Sequence, residues 1–184
     1  MGALGTRLRK ALHPTRPSSD IEWTRGRRWL LAVGSCAYIG FLPASGTAAV
    51  AIAGIPLYAA LSALPTAGYL AIVAGFTALA VWVHDRGDRI LGEKDSGKLV
   101  FDELAGFLIA MTAVPVTWRL IALGFVVERG LDVLKVWPAD VLERRVPGGW
   151  GVVLDDVVAG LYTCGVLHLA CYFLPDWVGS TAVS

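Results

Sequence analysis

The stretch T-A-A-V-A-I-A-G-I-P-L-Y-A-A-L-S-A-L-P-T-A-G-Y-L-A-I-V-A-G-F-T-A-L-A-V-W-V, residues 47–83, decides the fold. It contains no Asp, Glu, Lys, Arg or His, and that absence extends back to Trp29. A membrane-spanning helix needs about 20 mostly apolar residues, with about 17 as a practical minimum, so the stretch is long enough for two. Pro65, between Leu64 and Thr66, is the natural break: the residue before a proline is driven out of the helical region. The reading is one helix over 47–64 running outward and a second over 66–83 running back.

Working outward, the charged run 84–103 then lies on the inner face. The apolar pieces 104–114 and 120–127 are each too short to span alone. With their polar shoulders, and with Pro115 and Arg119 between them, they predict two helices joined by an outer turn. Residues 128–156 return to the inner face, and 157–175 make a last crossing that carries His168. The remaining apolar piece, 29–42, is short and holds Gly34 and Gly40, which suits an interfacial or re-entrant helix. The expected fold is therefore all-α, a polytopic membrane helical bundle with an interfacial or re-entrant N-terminal helix.

Composition agrees. Of 184 residues 55% are hydrophobic and 17% charged, and the mean hydropathy is +0.61; soluble domains average about 45–50% apolar. A net charge of +1 gives no reason to expect a nucleic-acid partner. The charge is unevenly placed: Arg7, Arg9, Lys10, Arg16, Arg25, Arg27 and Arg28 precede the apolar block, against Asp20 and Glu22. The positive-inside rule puts this arm, residues 1–28, in the cytoplasm, and the later Arg- and Lys-rich clusters with it. A mobile basic arm, a membrane-embedded domain over 29–175 and a short tail over 176–184 follow. The apolar block starts too late and runs too long for a signal peptide. Cys36, Cys164 and Cys171 lie in apolar stretches without a C-x-x-C spacing, which predicts core thiols rather than zinc or disulfides.

Acidic side chains at the end of a membrane helix are costly to desolvate, so they call for a cation, a counter-charge or water. Asp102-Glu103 precede the run that begins at Leu104, at the positive end of its helix dipole. Gly148-Gly149-Trp150-Gly151 reads as a glycine-rich loop leading to Asp155-Asp156 at another helix start. Capping alone needs one carboxylate per terminus, and these are tandem pairs. Hard-cation binding supplies a reason, since Mg²⁺ takes oxygen ligands and relies on one or two carboxylates plus phosphate oxygens. In E-R-G-L-D-V-L-K, residues 128–135, Arg129, Asp132 and Lys135 recur at i,i+3 and share one helical face. Arg129 and Lys135 suit either a phosphate or an ion-pair ladder with Glu128 and Asp132. Freed amides at Gly46, with the Thr47 hydroxyl, could likewise receive a phosphate or form only a turn. The histidines have no Ser or Cys partner in a recognisable arrangement, so triad chemistry is not indicated.

Together these stretches resemble the phosphatidylglycerophosphatase A family of bacterial membrane lipid phosphatases. The likeness rests on Lys94-Asp95, V-F-D-E-L-A-G-F over 100–107, R-G-L-D-V-L-K-V-W-P over 129–138 and G-G-W-G-V-V-L-D-D-V-V-A-G over 148–160, and runs from about Leu31 to Leu174. Residues 43–47 are similar to the family's Pro-Gly-Thr loop, with Ala44-Ser45 ahead of Gly46 and Ala48-Ala49 in place of the usual Gly-Ser; Val136 replaces a common proline. The resemblance implies Mg²⁺-dependent removal of the terminal phosphate of phosphatidylglycerophosphate, a phospholipid in the bilayer, at the cytoplasmic face of the inner membrane. It implies Asp102, Glu103, Asp132, Asp155 and Asp156 as catalytic residues, all but Asp132 as metal ligands, and Arg129, Lys135, Lys94, Gly46 and Thr47 as substrate contacts. No phosphatidyl-transferase D-G-x-x-A-R motif is present. The alternatives are a phosphatase acting on another phospholipid monophosphate and, from another class, a small acidic-lined membrane transporter, which would place its acids near the midplane, commonly within internal repeats.

Overall fold

The computed structural model describes residues 24–179. In chain order they form α1 (Arg25–Gly34), α2 (Ser45–Ala49), a π-helical turn (Val50–Gly54) running into α3 (Ile55–Leu61), α4 (Thr66–Leu91), α5 (Phe101–Ala110), α6 (Trp118–Leu134), α7 (Ala139–Arg145), α8 (Gly148–Phe173) and α9 (Pro175–Val178). Among the described residues there is no strand. Two helices, α4 and α8, are each long and apolar enough to cross a membrane.

α8 is the axis of the bundle, with α4, α5, α6 and α7 packed around it. Small residues bring α5 and α8 together: a Cβ on Gly160 would lie 3.1 Å from both Gly106 C and Ile109 Cβ. Such contacts hold apolar helices by close backbone approach. Gly160→Ala is expected to lower the thermal midpoint in detergent by several degrees, as overpacking of about 1–3 kcal/mol does; an unchanged midpoint would show that the crossing gives way freely. At the far end, Tyr58 and Tyr69 donate their hydroxyls to Val114 O (2.7 Å) and Leu108 O (2.6 Å), pairing carbonyls where α5 runs out.

Several element boundaries differ from the sequence reading. The 47–64 helix begins at Ser45, bulges at residues 50–54 and stops at Leu61. Pro56 accounts for the bulge, because its ring cannot donate and clashes with the carbonyl four residues earlier, and a π turn relieves both. α4 does not end at Val83 but continues to Leu91, aided by the Asp85–Arg89 pair at i,i+4 and closed by Gly92 at φ +69°. α5 reaches only from Phe101 to Ala110. α6 carries the polar run to Leu134 as helix.

The Gly148–Gly151 segment is the first turn of α8 and not a loop, so Asp155 and Asp156 lie two turns inside a helix. Asp85 Oδ1 takes the free Gly149 N–H at 2.6 Å, and a Cβ at Gly149 would stand 3.0 Å from Asp85 N. Glycine there lets α8 start against the α4 backbone. Arg25, Arg27 and Arg28 belong to α1, capped by Thr24; residues 1–23 and 180–184 lie outside the described residues. Residues 176–178 of the expected tail are part of α9. The three cysteines are free but only half-buried, and Cys164 has a histidine neighbour after all, with Sγ 3.6 Å from His168 Nδ1.

Candidate functional site

The polar residues collect where the C-terminal half of α4, the start of α5, the end of α6 and the first turns of α8 meet. Arg129 is the hub. It reaches back along α6 to chelate its neighbour Glu128, with Nε to Oε2 and Nη2 to Oε1 both at 2.6 Å. Its Nη1 lies 3.2 Å from Asp132 Oδ2 on the same helix, as the i,i+3 spacing predicts, and Nη2 lies 3.4 Å from Asp156 Oδ1 on α8. A guanidinium spread over three carboxylates holds α6 and α8 in register.

Asp132, Asp155 and Asp156 each offer an oxygen, and the three oxygens lie within 4.8 Å of one another. This all-oxygen set is chemically suited to a hard divalent cation. Asp132, expected as catalytic but not as a ligand, is the member that completes it. Of the expected ligands, Asp155 and Asp156 are in the cluster, while Asp102 and Glu103 stand on α5 beside it and do not form part of that triplet. Both acids lie inside the first turn of α5, which starts at Phe101 and not at Leu104, and neither caps it: Val100 is the N-cap and makes no side-chain cap. Asp102 Oδ1 and Glu103 Oε2 are instead buried without hydrogen-bond partners. Orphaned buried carboxylate oxygens are expensive, so their position calls for a polar guest.

Gly46 belongs to this group. A Cβ there would press on Glu103, 2.9 Å from its Cδ, and on Arg129 Nη1 at 3.0 Å. Its hydrogen leaves a cradle between those two side chains. Thr47 is adjacent but exposed, in a helical turn too short to supply a strong dipole. Ser45, beside them, donates to Gly97 O at 2.6 Å and ties this turn to the segment before α5.

Lys135 departs from the expected common face. α6 ends at Leu134, and Lys135 takes a left-handed conformation (φ +47°), so it is not a third helical position on the face of Arg129 and Asp132. Its Nζ pairs with Asp155 Oδ2 and lies 3.0 Å from Glu143 Oε2 on α7. Burial alone would lower the Lys135 ammonium, but Asp155 foremost, then Asp95 and Glu143, raise it above the usual lysine value. It stays a cation. Lys94 is exposed, donates to Glu143 O at 2.9 Å, and lines an open cavity of about 330 Å³ with His84, Asp85 and Gly149. Glu143 thus links the two expected substrate lysines.

Sequence reasoning missed Glu143 and set His84 aside. His84 is fully buried on α4, with Nε2 3.1 Å from Asp102 Oδ1, outside hydrogen-bonding alignment. Its separation from Asp102 along the chain leaves no local spacing to read. The 84–91 extension of α4, which faces it to α5, was the available signal.

Residues 32–171 match the phosphatidylglycerophosphatase A family. An Escherichia coli (strain K12) protein named phosphatidylglycerophosphatase A is 33% identical over 147 residues, covering 79% of this chain and 84% of that protein. A Haemophilus influenzae protein of the same name is 31% identical over 149 residues, covering 79% and 89%. A Bacteroides thetaiotaomicron protein named "Putative phosphatidylinositol-3-phosphatase" is 35% identical over 140 residues, covering 71% and 86%. No solved structure matches the chain. The motifs of α5, α6 and α8 that build the Arg129 cluster all fall inside the matched span, and the chain belongs to the phosphatidylglycerophosphatase A family of phosphatases.

Proposed function

We propose that the chain hydrolyses the terminal phosphate of phosphatidylglycerophosphate to give phosphatidylglycerol and inorganic phosphate. It would do so with Mg²⁺, as a multi-pass protein whose site faces the cytoplasm across the bacterial inner membrane. The observation that carries this reading is the juxtaposition of the Arg129 guanidinium, the Gly46 cradle and the Asp132-Asp155-Asp156 triplet. The names of the relatives supply the lipid.

Asp132, Asp155 and Asp156 would hold the cation, with Asp102 and Glu103 as further carboxylates at its edge. When bound, the ion supplies positive charge against the phosphoryl oxygens and lowers the pKa of coordinated water. Arg129 orients the phosphoryl group with the planar edge it turns toward Gly46, and Lys135 adds charge beside Asp155. Hydrolysis requires that one proton leave the attacking water and one reach the departing glycerol oxygen. Glu103 Oε2 and Asp102 Oδ1, which accept no hydrogen bond, the latter with only His84 Nε2 beside it at 3.1 Å, are the groups that take and return it. Leu104, Phe107 and Leu108, all buried in the next turns of α5, keep bulk water from the other side.

The aromatic residues support the transmembrane placement. Exposed Trp137 and Trp150 ring the site's end; exposed Trp118, Tyr172 and Phe173 mark the other. Along α8, Trp150 and Tyr172 are separated by about 33 Å at 1.5 Å per residue, close to the hydrocarbon thickness of about 30 Å flanked by aromatic belts. With the native cysteines replaced, single cysteines at exposed Arg89 and Pro147 should resist an impermeant thiol reagent in intact cells and react after lysis; labelling without lysis rejects this orientation.

The direct test is phosphate release by the detergent-purified chain from phosphatidylglycerophosphate, with Mg²⁺ and with excess EDTA. Phosphatidylinositol 3-phosphate is the competing substrate, a second reading that the name of the Bacteroides relative favours. Faster release from the inositol lipid would replace the first substrate with the second.

A further inference from the structure

Glu128 has no part in the reaction just described, yet it is wholly buried at the site's end of α6. Successive residues on a helix point about 100° apart, so Glu128 and Arg129 do not meet by helix geometry. They meet because the Arg129 side chain doubles back and places Nε and Nη2 on the two oxygens of Glu128. A guanidinium has five N–H donors fixed in one plane. Nε–H and one Nη2 hydrogen are spent on Glu128, the other Nη2 hydrogen turns toward Asp156, and one on Nη1 toward Asp132. What is left is a hydrogen on Nη1, the same nitrogen that borders the Gly46 cradle. Glu128 is itself held from behind, since a Cβ on Gly106 would lie 2.9 Å from its Oε1.

We infer that Glu128 is a positioning residue that locks the plane of Arg129 so that Nη1 is presented at the Gly46 cradle as the phosphoryl donor. The inference rests on the phosphatase reading above. Asp132 and Asp156 are rivals of a phosphoryl group for the outer edge of the guanidinium, and an arriving phosphate displaces them. Glu128 takes the inner edge, where no substrate reaches, and keeps the fork aimed while the outer contacts exchange. Without it the guanidinium has only those rivals to bind, and is drawn toward α8 and away from Gly46.

Inorganic phosphate, used as a competitive inhibitor of the full chain in detergent, is the probe. Glutamine at position 128 keeps the volume but turns an amide nitrogen toward one arm of the fork. Glu128→Gln is expected to weaken phosphate inhibition about tenfold, the size of one charge-assisted hydrogen bond. KM should rise by a similar factor and exceed the fall in kcat, with the thermal midpoint little changed. Glu128→Asp, shorter by one methylene, moves the same constants in the same direction and serves if the glutamine variant does not fold. Added to Arg129→Lys, which has no fork to aim, Glu128→Gln should change phosphate inhibition by less than about twofold. An unchanged phosphate inhibition constant in either folded single variant overturns the inference and leaves the phosphatase reading standing. A wild-type protein that neither releases phosphate from the lipid nor is inhibited by phosphate overturns both.

Discussion

Asp156→Asn is expected to reduce turnover by about a hundredfold or more, equivalent to losing about 2.7 kcal/mol of transition-state stabilisation. Asp156 is buried on α8, contributes one oxygen to the Asp132-Asp155-Asp156 triplet and faces Arg129. Asparagine keeps its shape and one acceptor but removes the charge a hard cation needs. The same change relieves repulsion within the acidic cluster, so the thermal midpoint should hold steady or rise. That opposite sign separates a functional acid from a structural one, because a carboxylate present only to hold Arg129 would lower the midpoint when neutralised. The variant should also need more Mg²⁺ for half-maximal activity, read from turnover across a metal titration. Asp102→Asn is expected to fall as steeply, since its orphaned Oδ1 is tied to no structural partner that hydrogen bonds it. Undiminished activity of the wild type in excess EDTA would falsify the metal assignment.

What could be read from the sequence follows from which forces are local. The absence of charge between Trp29 and Val83 placed α4, and the apolar run after Asp156 placed α8, because hydropathy reports burial in an apolar phase. Hydropathy does not report where a helix stops. α4 runs on through Asp85, Arg86, Asp88 and Arg89, supported by the Asp85–Arg89 pair, and α8 begins at Gly148, where tertiary contact with Asp85 supplies the missing cap. Those two extensions build the site, bringing His84 to Asp102 and moving Asp155 and Asp156 into mid-helix. The Arg129–Asp132 pair was legible because i,i+3 is a local spacing. Lys135 was not, because one left-handed residue at the end of α6 sends its side chain to α7 and α8 instead. Glu143 and the Gly46 cradle depend on how distant segments dock, and no local pattern encodes that.

Arg129→Lys is expected to lose at least about a hundredfold in turnover, because lysine keeps the charge but has one nitrogen where arginine has a fork. One ammonium cannot chelate Glu128, neutralise Asp132 and Asp156, and still present a donor beside Gly46, as the guanidinium does. Were Arg129 only an ion-pair partner of Asp132, lysine would largely substitute, since a single i,i+3 pair asks for charge and not for planarity. The structure makes the stability side less simple than that. Removing Arg129 and Asp132 together would still leave Glu128 and Asp156 without their counter-charge, and a buried carboxylate that loses its partner costs several kcal/mol. Arg129→Ala with Asp132→Ala should therefore remain less stable than wild type, and Arg129→Lys is the sharper probe because it retains a cation among the three acids. The decisive comparison sets turnover of the lysine variant beside its thermal midpoint in detergent. Low turnover with the midpoint within a few degrees of wild type assigns Arg129 to the phosphoryl group. Near wild-type turnover reduces it to a strut between α6 and α8.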